Sequence, residues 1–351
     1  MNLPLAQAPR SVCILRLSAI GDTCHVVPVL RTLQAVWPAT RFTWIIAKSE
    51  SRLMRLIEGV EFIIVDKGAG FGALAAARGQ LATQRFDVLL HMQVALGASL
   101  IALAVQAPVK VGFDRARARE LQWLFTNAQI APRTQEHVLE SFFGFPQALG
   151  IEERRLSWDI PLPQTAQAYA RALIPDAQPT LLISACSSHA MRNWRPERYA
   201  AVAEHAVRRH GMRVILTGGP NALEQTTGAA ITRAARVPIV NQIGRDTLPQ
   251  LLALLGRATV LLSPDSGPVH MATMVATPVV GLYAPTNPAR SGPYLSQQWC
   301  INAYARAARR FRHCEPDALP WGTKIEEPGV MDLIEVEEVL AKLDELLRSH
   351  S

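Results

Sequence analysis

The sequence predicts an α/β protein made of two doubly wound domains, each a parallel sheet with helices on both faces. Three observations lead to this fold class. Short aliphatic runs typical of buried strands alternate with apolar patterns at helical spacing, and the second half of the chain repeats the alternation of the first. The length of 351 residues is also enough for about two domains.

In the first half, the predicted strands are SVCILRL, RFTWIIA, EFIIVDK, FDVLLHM and VKVGF. An apolar pattern with helical spacing follows the first strand, at Val26, Val29, Leu30 and Leu33. Strands that alternate with helices pair in parallel, because each helix carries the chain back to the same end of the sheet. Prolines and polar residues then interrupt the pattern at residues 156–164, which we interpret as the linker to a second domain.

In the second half, the predicted strands are PTLLISA, MRVILTGG, PIVNQIG, TVLLSPD and TPVVGLYAP, and two helices are PERYAAVAEHAVRRHG and LPQLLALLGRA. The last segment is predicted to be an amphipathic helix that packs across the body of the protein, with one apolar face formed by Leu333, Val336, Leu340, Leu343 and Leu347. The predicted domains are therefore residues 1–160 and 161–330, followed by a C-terminal helix at 331–351.

Composition narrows the class of protein. A net charge of +7 favours an anionic partner: a nucleotide, a phosphorylated glycan, a nucleic acid or an acidic membrane surface. Five cysteines without a CxxC pair indicate neither a disulfide framework nor a zinc site, which is typical of a reduced cytosolic compartment. The first apolar run resembles a strand more than a signal peptide, and ASLIALAVQAPV is too short to span a bilayer. We expect a soluble cytoplasmic protein that can touch a membrane surface.

The densest cluster of polar residues is SPDSGPVHMA, directly after the predicted strand TVLLS. Asp265, Ser266 and Gly267 fall on a turn from strand to helix, where backbone N–H groups and the helix dipole favour a phosphate. His270 follows about one helical turn later. Asp265 or Ser266 alone can simply cap the helix, but the combined set favours a binding function.

A second cluster, SACSSHAMRNWRPERY, follows the strand PTLLIS. The hydroxyl groups of Ser187 and Ser188 with the charge of Arg192 suit a diphosphate, although Arg192 can also be an ordinary solvated arginine. In a third segment, LTGGPNALEQ, Gly218 and Gly219 permit a ligand to approach the backbone, which is a weak signal. GAGFGA does not match the GxGxxG pattern, so a dinucleotide-dependent dehydrogenase is disfavoured.

One carboxylate, Asp22, lies on the turn that leaves the first predicted strand, in LRLSAIGDTCHVVPVL. Open α/β sheets keep their ligand crevice at this end of the strands. Asp22 can alternatively be the N-cap of the following helix, and its position after Gly21 suits that role.

Taken in order, four segments resemble glycosyltransferase family 9, the heptosyltransferases: LRLSAIGDTCHVVPVLRTL, SSHAMRNWRPERYAAVAEH, VILTGGPNALE and SPDSGPVHMATMVATPVVGLYAPTNPARSGPY. These enzymes transfer heptose from ADP-heptose to the inner core of bacterial lipopolysaccharide. The resemblance covers about residues 10–300. FTWIIAKSE and GFDRARARELQWLFTN look most like the heptosyltransferase I type, which adds the first heptose to Kdo.

The resemblance implies a GT-B fold: two Rossmann-like domains that face each other across a cleft, with the acceptor mainly in the N-terminal one and the donor in the C-terminal one. It also implies inversion at the anomeric carbon, without a metal or cofactor. Asp22 matches the catalytic base, and the donor-binding residues would be Ser187, Ser188, Arg192, Gly219, Asn221, Glu224, Asp265, Ser266, Gly267 and His270. The family often has lysine at the position of Arg192 and threonine at that of Ser266. Asn221 occupies the position expected for an acidic residue that holds the nucleotide ribose, with Glu224 three residues on.

For the acceptor, Lys67 and the run DRARARE supply four cations that can receive the carboxylate and phosphates of a Kdo-lipid A acceptor, namely Lys67, Arg115, Arg117 and Arg119. The run can also be a solvated helix face. A second basic segment, ARAARRFRHC, can meet the anionic inner leaflet of the cytoplasmic membrane as a peripheral contact, or can be a mobile loop.

Two alternatives remain open at this point. A GT-B transferase that uses another nucleotide sugar, or a later core heptose as its acceptor, would keep the same binding residues. A protein without catalytic activity that binds nucleotides or nucleic acid would use the positive charge but would not need Asp22. We expect the transferase, with no nucleic-acid partner.

Overall fold

The structure is a computed structural model that describes residues 3–349, apart from the side chain of Phe71. The described residues form two compact units, divided in the sequence between Pro161 and Leu162. Residues 151–163, immediately before helix α6 (Gln164–Leu173), contain no helix or strand.

The first unit contains six strands and five helices. Its strands are β1 Ser11–Leu15, β2 Arg41–Ala47, β3 Val60–Val65, β4 Val88–His91, β5 Val109–Gly112 and β6 Ala128–Gln129. Its helices are α1 Ile20–Val36, α2 Lys48–Met54, α3 Phe71–Leu81, α4 Leu96–Ala104 and α5 Val138–Ala148.

The second unit begins with α6 and also contains six strands. These are β7 Thr180–Ile183, β8 Arg213–Leu216, β9 Val240–Asn241, β10 Val260–Pro264, β11 Val279–Tyr283 and β12 Ile301–Asn302. Its other helices are α7 Pro196–His210, α8 Ala222–Ala234, α9 Leu248–Leu255, α10 Gly267–Met274, α11 Pro288–Ser291, α12 Tyr304–Ala307 and α13 Val336–Ser349.

Both sheets have the same topology, and all their strand pairs are parallel. The orders are β3-β2-β1-β4-β5-β6 and β12-β11-β10-β7-β8-β9. The order in which strands are added therefore reverses next to the first strand of each unit, between β1 and β4 and between β7 and β10. In register, Val12 of β1 lies beside Val88 of β4, and Leu181 of β7 lies beside Val260 of β10. At such a reversal the two loops that leave the strands diverge and open a crevice at the carboxyl edge, which is where ligands bind in doubly wound sheets.

The central strands form because their residues are apolar on both faces, and helices cover both faces of a parallel sheet. Every residue of β1, β7, β10 and β11 is buried. The ten strands expected from aliphatic runs are present. The edge strands β6 and β12 were missed because each has only two residues and no aliphatic run.

The predicted C-terminal helix is α13, which packs against the second unit beside α7. Its fully buried side chains are Val339, Leu343 and Leu346, whereas the predicted positions Leu333, Val336, Leu340 and Leu347 are partly buried at the edge of the same core. The indole Nε1 of Trp194 donates a hydrogen bond to the carbonyl of Ile334, 3.0 Å away. This bond ties the segment before α13 to the segment before α7.

Asp246, in the loop after β9, is a carboxylic acid that the fold covers. Thr217, the residue after β8, donates its hydroxyl to Asp246 Oδ2 at 2.9 Å. Burial raises the pKa of Asp246 to about 6, against the opposing effect of the Thr217 hydrogen bond, and the charge of Glu224 adds to the increase.

Asp246→Asn should stabilise the protein at neutral pH. An unfolded chain releases this proton near pH 3.8 but the folded protein retains it to about pH 6, so the stability due to Asp246 is complete below pH 3.8 and is lost as pH rises through 6. Asparagine imitates the protonated acid, so we expect the free energy of unfolding to rise by roughly 1–3 kcal/mol at pH 7.5 and to change little at pH 4.

Urea unfolding at the two pH values measures this difference. The matched control is Asp176→Asn, because Arg213 lowers the pKa of that exposed carboxyl. The control should not stabilise the protein at pH 7.5. An equal effect of Asp246→Asn at both pH values would contradict the assignment.

Candidate functional site

In the first unit, the crevice at the carboxyl ends of β1 and β4 is built around an arginine and a carboxylate. Arg16 follows β1 directly; its Nη2 forms an ion pair with Asp22 Oδ2, and its Nη1 donates to the carbonyl of Met92, just after β4, at 2.6 Å. Arg16 therefore joins the ends of the two strands and orients Asp22. The side chain of Asp22 is 31 % exposed, so a substrate in solvent can reach it.

The loop between β1 and α1 is held by neighbouring strand ends. Gln93 Oε1 accepts hydrogen bonds from the backbone N–H groups of Leu17 and Ser18, at 2.7 and 3.4 Å. Lys67, from the loop after β3, donates its ammonium group to Ser18 Oγ at 2.7 Å. The structure thus brings Lys67 to this loop, which leads into the helix start that carries Asp22 and which we call the Asp22 loop.

Asp22 is not the N-cap of α1, which corrects the alternative interpretation. The N-cap is Ala19 because the helix begins at Ile20, and Asp22 is the third helical residue. Its Oδ2 accepts a weak hydrogen bond from the Ala19 N–H at 3.4 Å, so it satisfies one free donor of the helix start without being the cap.

Two histidines near this crevice are poorly suited to proton transfer. His25 is only 2 % exposed, and its ring packs edge-on against that of His137. His91 ends β4 with its Nε2 3.0 Å from Ser99 Oγ; burial, with added effects of Arg16 and Lys110, lowers the pKa of His91 to about 3. His91 is therefore neutral at pH 7, and of the side chains of His25, His91 and Asp22 only that of Asp22 is substantially exposed.

The basic run at residues 114–120 lies in a turn between β5 and β6, so the solvated-helix interpretation is wrong. The chain turns there because the Asp114 carbonyl accepts hydrogen bonds from the N–H groups of Arg117 and Ala118. Arg117 forms ion pairs with Asp114 and Glu136, so its charge is used inside the fold. Arg115 and Arg119 are exposed, and the Arg115 guanidinium lies 3.7 Å from the centre of the Trp123 ring.

In the second unit, the crevice at the ends of β7 and β10 contains the opposite arrangement, one arginine held by two carboxylates. Arg192 is 9 % exposed, and its Nε and Nη2 lie 2.9 and 2.8 Å from Glu326 Oε1. Its Nη1 lies 3.4 Å from Asp265 Oδ2, a long contact for a charged hydrogen bond. Partial burial opposes ionisation of Glu326, but Arg192 and His189 outweigh it and lower the pKa of Glu326.

Of the predicted serines, Ser187 and Ser188 lie shortly before Arg192 in the chain, and Ser266 lies at the start of α10. Ser187 is buried and its backbone N–H donates to Asn193 Oδ1 at 2.7 Å, whereas Ser188 is exposed. Ser266 is the N-cap residue of α10, and its hydroxyl lies 2.8 Å from Ser263 Oγ. Gly267 begins the helix, so the first backbone N–H groups of α10 lie at this crevice and suit an anion. His270 is the fourth helical residue and is 8 % exposed.

Asn221 and Glu224, the residues considered for the ribose, also hold the start of helix α8. Asn221 is the N-cap residue, and its Oδ1 accepts a hydrogen bond from the Glu224 N–H at 3.0 Å. The carboxylate of Glu224 in turn accepts from the Gly219 N–H and from Asn221 Nδ2, both at 2.6 Å. Both side chains are therefore engaged within the loop that precedes α8.

Sequence reasoning missed three residues that shape the two crevices, namely Arg16, Gln93 and Glu326. Arg16 had a sequence signal, since a charged residue ended an otherwise apolar strand six residues before Asp22. Glu326 had none, because it comes from a segment more than 130 residues after Arg192 and reaches it only in the fold.

Comparison with known proteins identifies the family. The sequence model of glycosyltransferase family 9 (heptosyltransferase) matches residues 74–318. The lipopolysaccharide core heptosyltransferase OpsX of Haemophilus influenzae is 38 % identical, over 98 % of this chain and 99 % of that protein. Lipopolysaccharide heptosyltransferase 1 of Escherichia coli K12 is 24 % identical, over 83 % of this chain and 93 % of that protein.

A solved structure supports the fold. The Escherichia coli heptosyltransferase WaaC with ADP superposes with a TM-score of 0.73 at 20 % identity, covering 96 % of this chain and 99 % of that one. The predicted GT-B architecture of two Rossmann-like units is confirmed. The family model spans more than half of the chain and the Haemophilus relative almost all of it. The protein is therefore a glycosyltransferase and belongs to family 9, the heptosyltransferases.

Proposed function

We propose that the protein transfers heptose from ADP-heptose to the Kdo region of the lipopolysaccharide inner core, with inversion and without a catalytic metal. The observation that carries this proposal is the accessible carboxylate of Asp22, held by Arg16 where the order of the first sheet reverses. The names of the relatives support the substrate class, because they describe lipopolysaccharide heptosyltransferases and a structure with ADP.

In the proposed step, Asp22 removes the proton from the acceptor hydroxyl while that oxygen attacks the anomeric carbon from the face opposite ADP. Arg16 and the Ala19 N–H both bind Oδ2. This leaves Oδ1 to accept the hydrogen bond of the hydroxyl and then its proton. A single displacement needs one base and inverts the configuration, as in other inverting glycosyl transfers.

The departing diphosphate would be stabilised at the second crevice. Glu326 binds the Nε edge of Arg192, whereas Nη1 makes only the long contact with Asp265 and can turn to a phosphate oxygen. The Ser188 hydroxyl and the first N–H groups of α10 add neutral donors. Preorganised donors of this kind stabilise the charge that develops on a leaving group, which is the role a metal ion would otherwise have.

For the acceptor, Lys67 is the cation placed beside the Asp22 loop, through its bond to Ser18. Arg115 and Arg119 remain exposed for a carboxylate or phosphate, whereas Arg117 is already neutralised by Asp114 and Glu136. We therefore assign acceptor recognition to Lys67, Arg115 and Arg119, and a structural role to Arg117.

The proposed acceptor is a membrane lipid, and the first unit presents an apolar surface suited to a bilayer. We call this the α4 surface; it consists of Leu96, Leu100, Leu103, Leu121 and Leu124, which are between 37 % and 61 % exposed. The first three lie on one face of α4, and a hydrogen bond of 2.6 Å from the Leu96 N–H to Glu120 Oε2 joins α4 to the segment of the other two. Arg115 and Arg119, both exposed, precede Leu121 in the same loop and favour anionic lipid.

The other basic segment, residues 305–314, is less suited to a membrane. It is helical over 304–312, and three of its arginines are paired: Arg306 with Glu338, Arg309 with Glu315 and Arg312 with Glu327.

No helix within residues 3–349 is long and apolar enough to cross a bilayer. We therefore propose peripheral contact with the inner leaflet through the α4 surface.

ADP-heptose and Kdo-lipid A should yield a product one heptose heavier by mass spectrometry. We expect no product with UDP- or GDP-sugars. Turnover should also be unchanged in a chelator, because Arg192 and the start of α10 supply the positive potential at the diphosphate. Tighter calorimetric binding of UDP or GDP than of ADP would contradict the donor. Loss of turnover in chelator that magnesium restores would contradict metal independence.

Asp22→Asn should fold normally, bind ADP like the parent and lose roughly a hundredfold to ten-thousandfold in turnover, because the amide can bond to Arg16 but cannot take a proton. Asp22→Ala should also lose stability, since it leaves the largely buried Arg16 guanidinium without its carboxylate. Turnover and urea unfolding separate the two effects. His25→Asn is the control; near-parental turnover of Asp22→Asn with an inactive but folded His25→Asn would reject Asp22 as the base.

The double variant Leu103→Glu/Leu124→Glu should weaken binding to vesicles of phosphatidylethanolamine and phosphatidylglycerol by about tenfold or more. Each leucine that inserts into the bilayer contributes roughly 1.5–3 kcal/mol to the free energy of binding. Cosedimentation measures the binding. The control is Leu295→Glu, a leucine of the second unit that is 45 % exposed, which should bind like the parent. Turnover on a delipidated, water-soluble acceptor should stay unchanged in both. If the double variant sediments like the parent, the α4 surface is not the contact.

A further inference from the structure

A cluster of two histidines and one aspartate lies outside both crevices. His205 and His210 come from α7, and Asp344 comes from α13. The Nε2 atoms of both imidazoles lie 2.6 Å from the same oxygen, Oδ1 of Asp344, and the ring centres are 5.4 Å apart. The three side chains are each about one-fifth exposed, so the cluster is partly covered but accessible from solvent.

We propose that this cluster is a binding site for a divalent transition-metal ion of the zinc class. The three potential ligand atoms lie within 4.8 Å of one another. Two imidazole nitrogens and one carboxylate oxygen are ligand types that Zn²⁺ prefers, with bonds of about 2.0–2.2 Å. A tetrahedral ion would keep these atoms roughly 3.3 Å apart. Because each Nε2 lies 2.6 Å from Asp344 Oδ1, entry of the ion requires the carboxylate oxygen to move away from both imidazoles by less than about 1 Å.

Without metal, each imidazole can donate an Nε2–H to the Asp344 carboxylate, whose Oδ1 lies 2.6 Å from both nitrogens. Metal binding replaces both protons at Nε2. A neutral imidazole can keep one proton by carrying it on Nδ1 instead, so binding requires no net loss of protons from neutral histidines.

The surrounding charges modulate the site. Arg209 Nε lies 3.4 Å from Asp344 Oδ2, and its side chain is 63 % exposed, so it competes weakly with a cation for the carboxylate. Arg208 pairs instead with Glu204 on its own helix. Arg209 is therefore the residue whose removal should improve metal binding.

The position of the cluster argues for a stabilising role. Arg192 lies just before the amino end of α7, whereas His210 is its last residue, a separation of 15 helical residues or about 22 Å. The ion would cross-link the carboxyl end of α7 to α13. It should raise the thermal midpoint as its concentration rises, because it binds the folded state, and it should not alter turnover. The inference is thus independent of the proposed heptosyl transfer.

Equilibrium dialysis of the full chain against zinc chloride, after removal of metal by a chelator, tests the proposal. We expect one Zn²⁺ per chain, at least about tenfold weaker binding in His205→Gln/His210→Gln and in Asp344→Asn, and several-fold tighter binding in Arg209→Gln. Glutamine can still donate an N–H to Asp344, so the hydrogen-bonded cluster is preserved without its nitrogen ligands. The control is His313→Asn, an exposed histidine outside the cluster.

Tighter binding in Arg209→Gln is the decisive readout, because a variant that merely folds poorly would not gain affinity. Circular dichroism without zinc verifies the fold of each variant. Equal zinc binding by the parent and the double histidine variant, or no zinc binding by the parent, would overturn the proposal and leave a hydrogen-bonded cluster only.

Discussion

The reversal of strand order beside the first strand of each sheet is the constraint on which the rest of the structure depends. At β1/β4 and at β7/β10 the connections leave toward opposite faces, so the strand ends between them are not covered by a crossover helix. Polar residues at those ends can face a ligand while the strands themselves stay fully buried. Asp22 and Arg192, the residues of greatest chemical interest, both lie at these positions for this reason.

Each crevice contains an ion pair between arginine and carboxylate. In the first, one arginine binds one carboxylate, and in the second, one arginine lies between two carboxylates. In the first, Arg16 is largely buried and saturates one oxygen of Asp22, which leaves the other oxygen of an exposed carboxylate for chemistry. In the second, Glu326 and Asp265 hold a buried guanidinium in a fixed direction. A buried charge must be paired with an opposite charge. The partner of Asp22 or of Arg192 therefore has to orient the side chain and still leave one of its oxygen or nitrogen atoms available for a further hydrogen bond.

The sequence predicted what local patterns determine. Strands such as RFTWIIA could be predicted because burial on both faces requires continuous aliphatic residues, and polar turns after strands could be predicted as the ligand edge. Local pattern does not determine which distant residue completes a charge pair. Glu326 beside Arg192 and Glu136 beside Arg117 depend on tertiary packing, and the second pair converts a predicted acceptor contact into a structural one. The sequence thus predicted which strand ends carry these polar residues, but not which distant residues pair with them.

Helix α7 contacts the second crevice at its amino end and α13 at its carboxyl end. Its amino end follows Arg192, and Tyr199 in its second turn donates its buried hydroxyl to the carbonyl of Ala185, in the same loop as Ser187. Its carboxyl end holds the histidines that meet α13. Because a helix is stiff along its axis, anchoring the far end fixes the direction in which the near end presents the loop. The contacts with α13 therefore support the loop of Ala185 and Ser187 from the far end of α7.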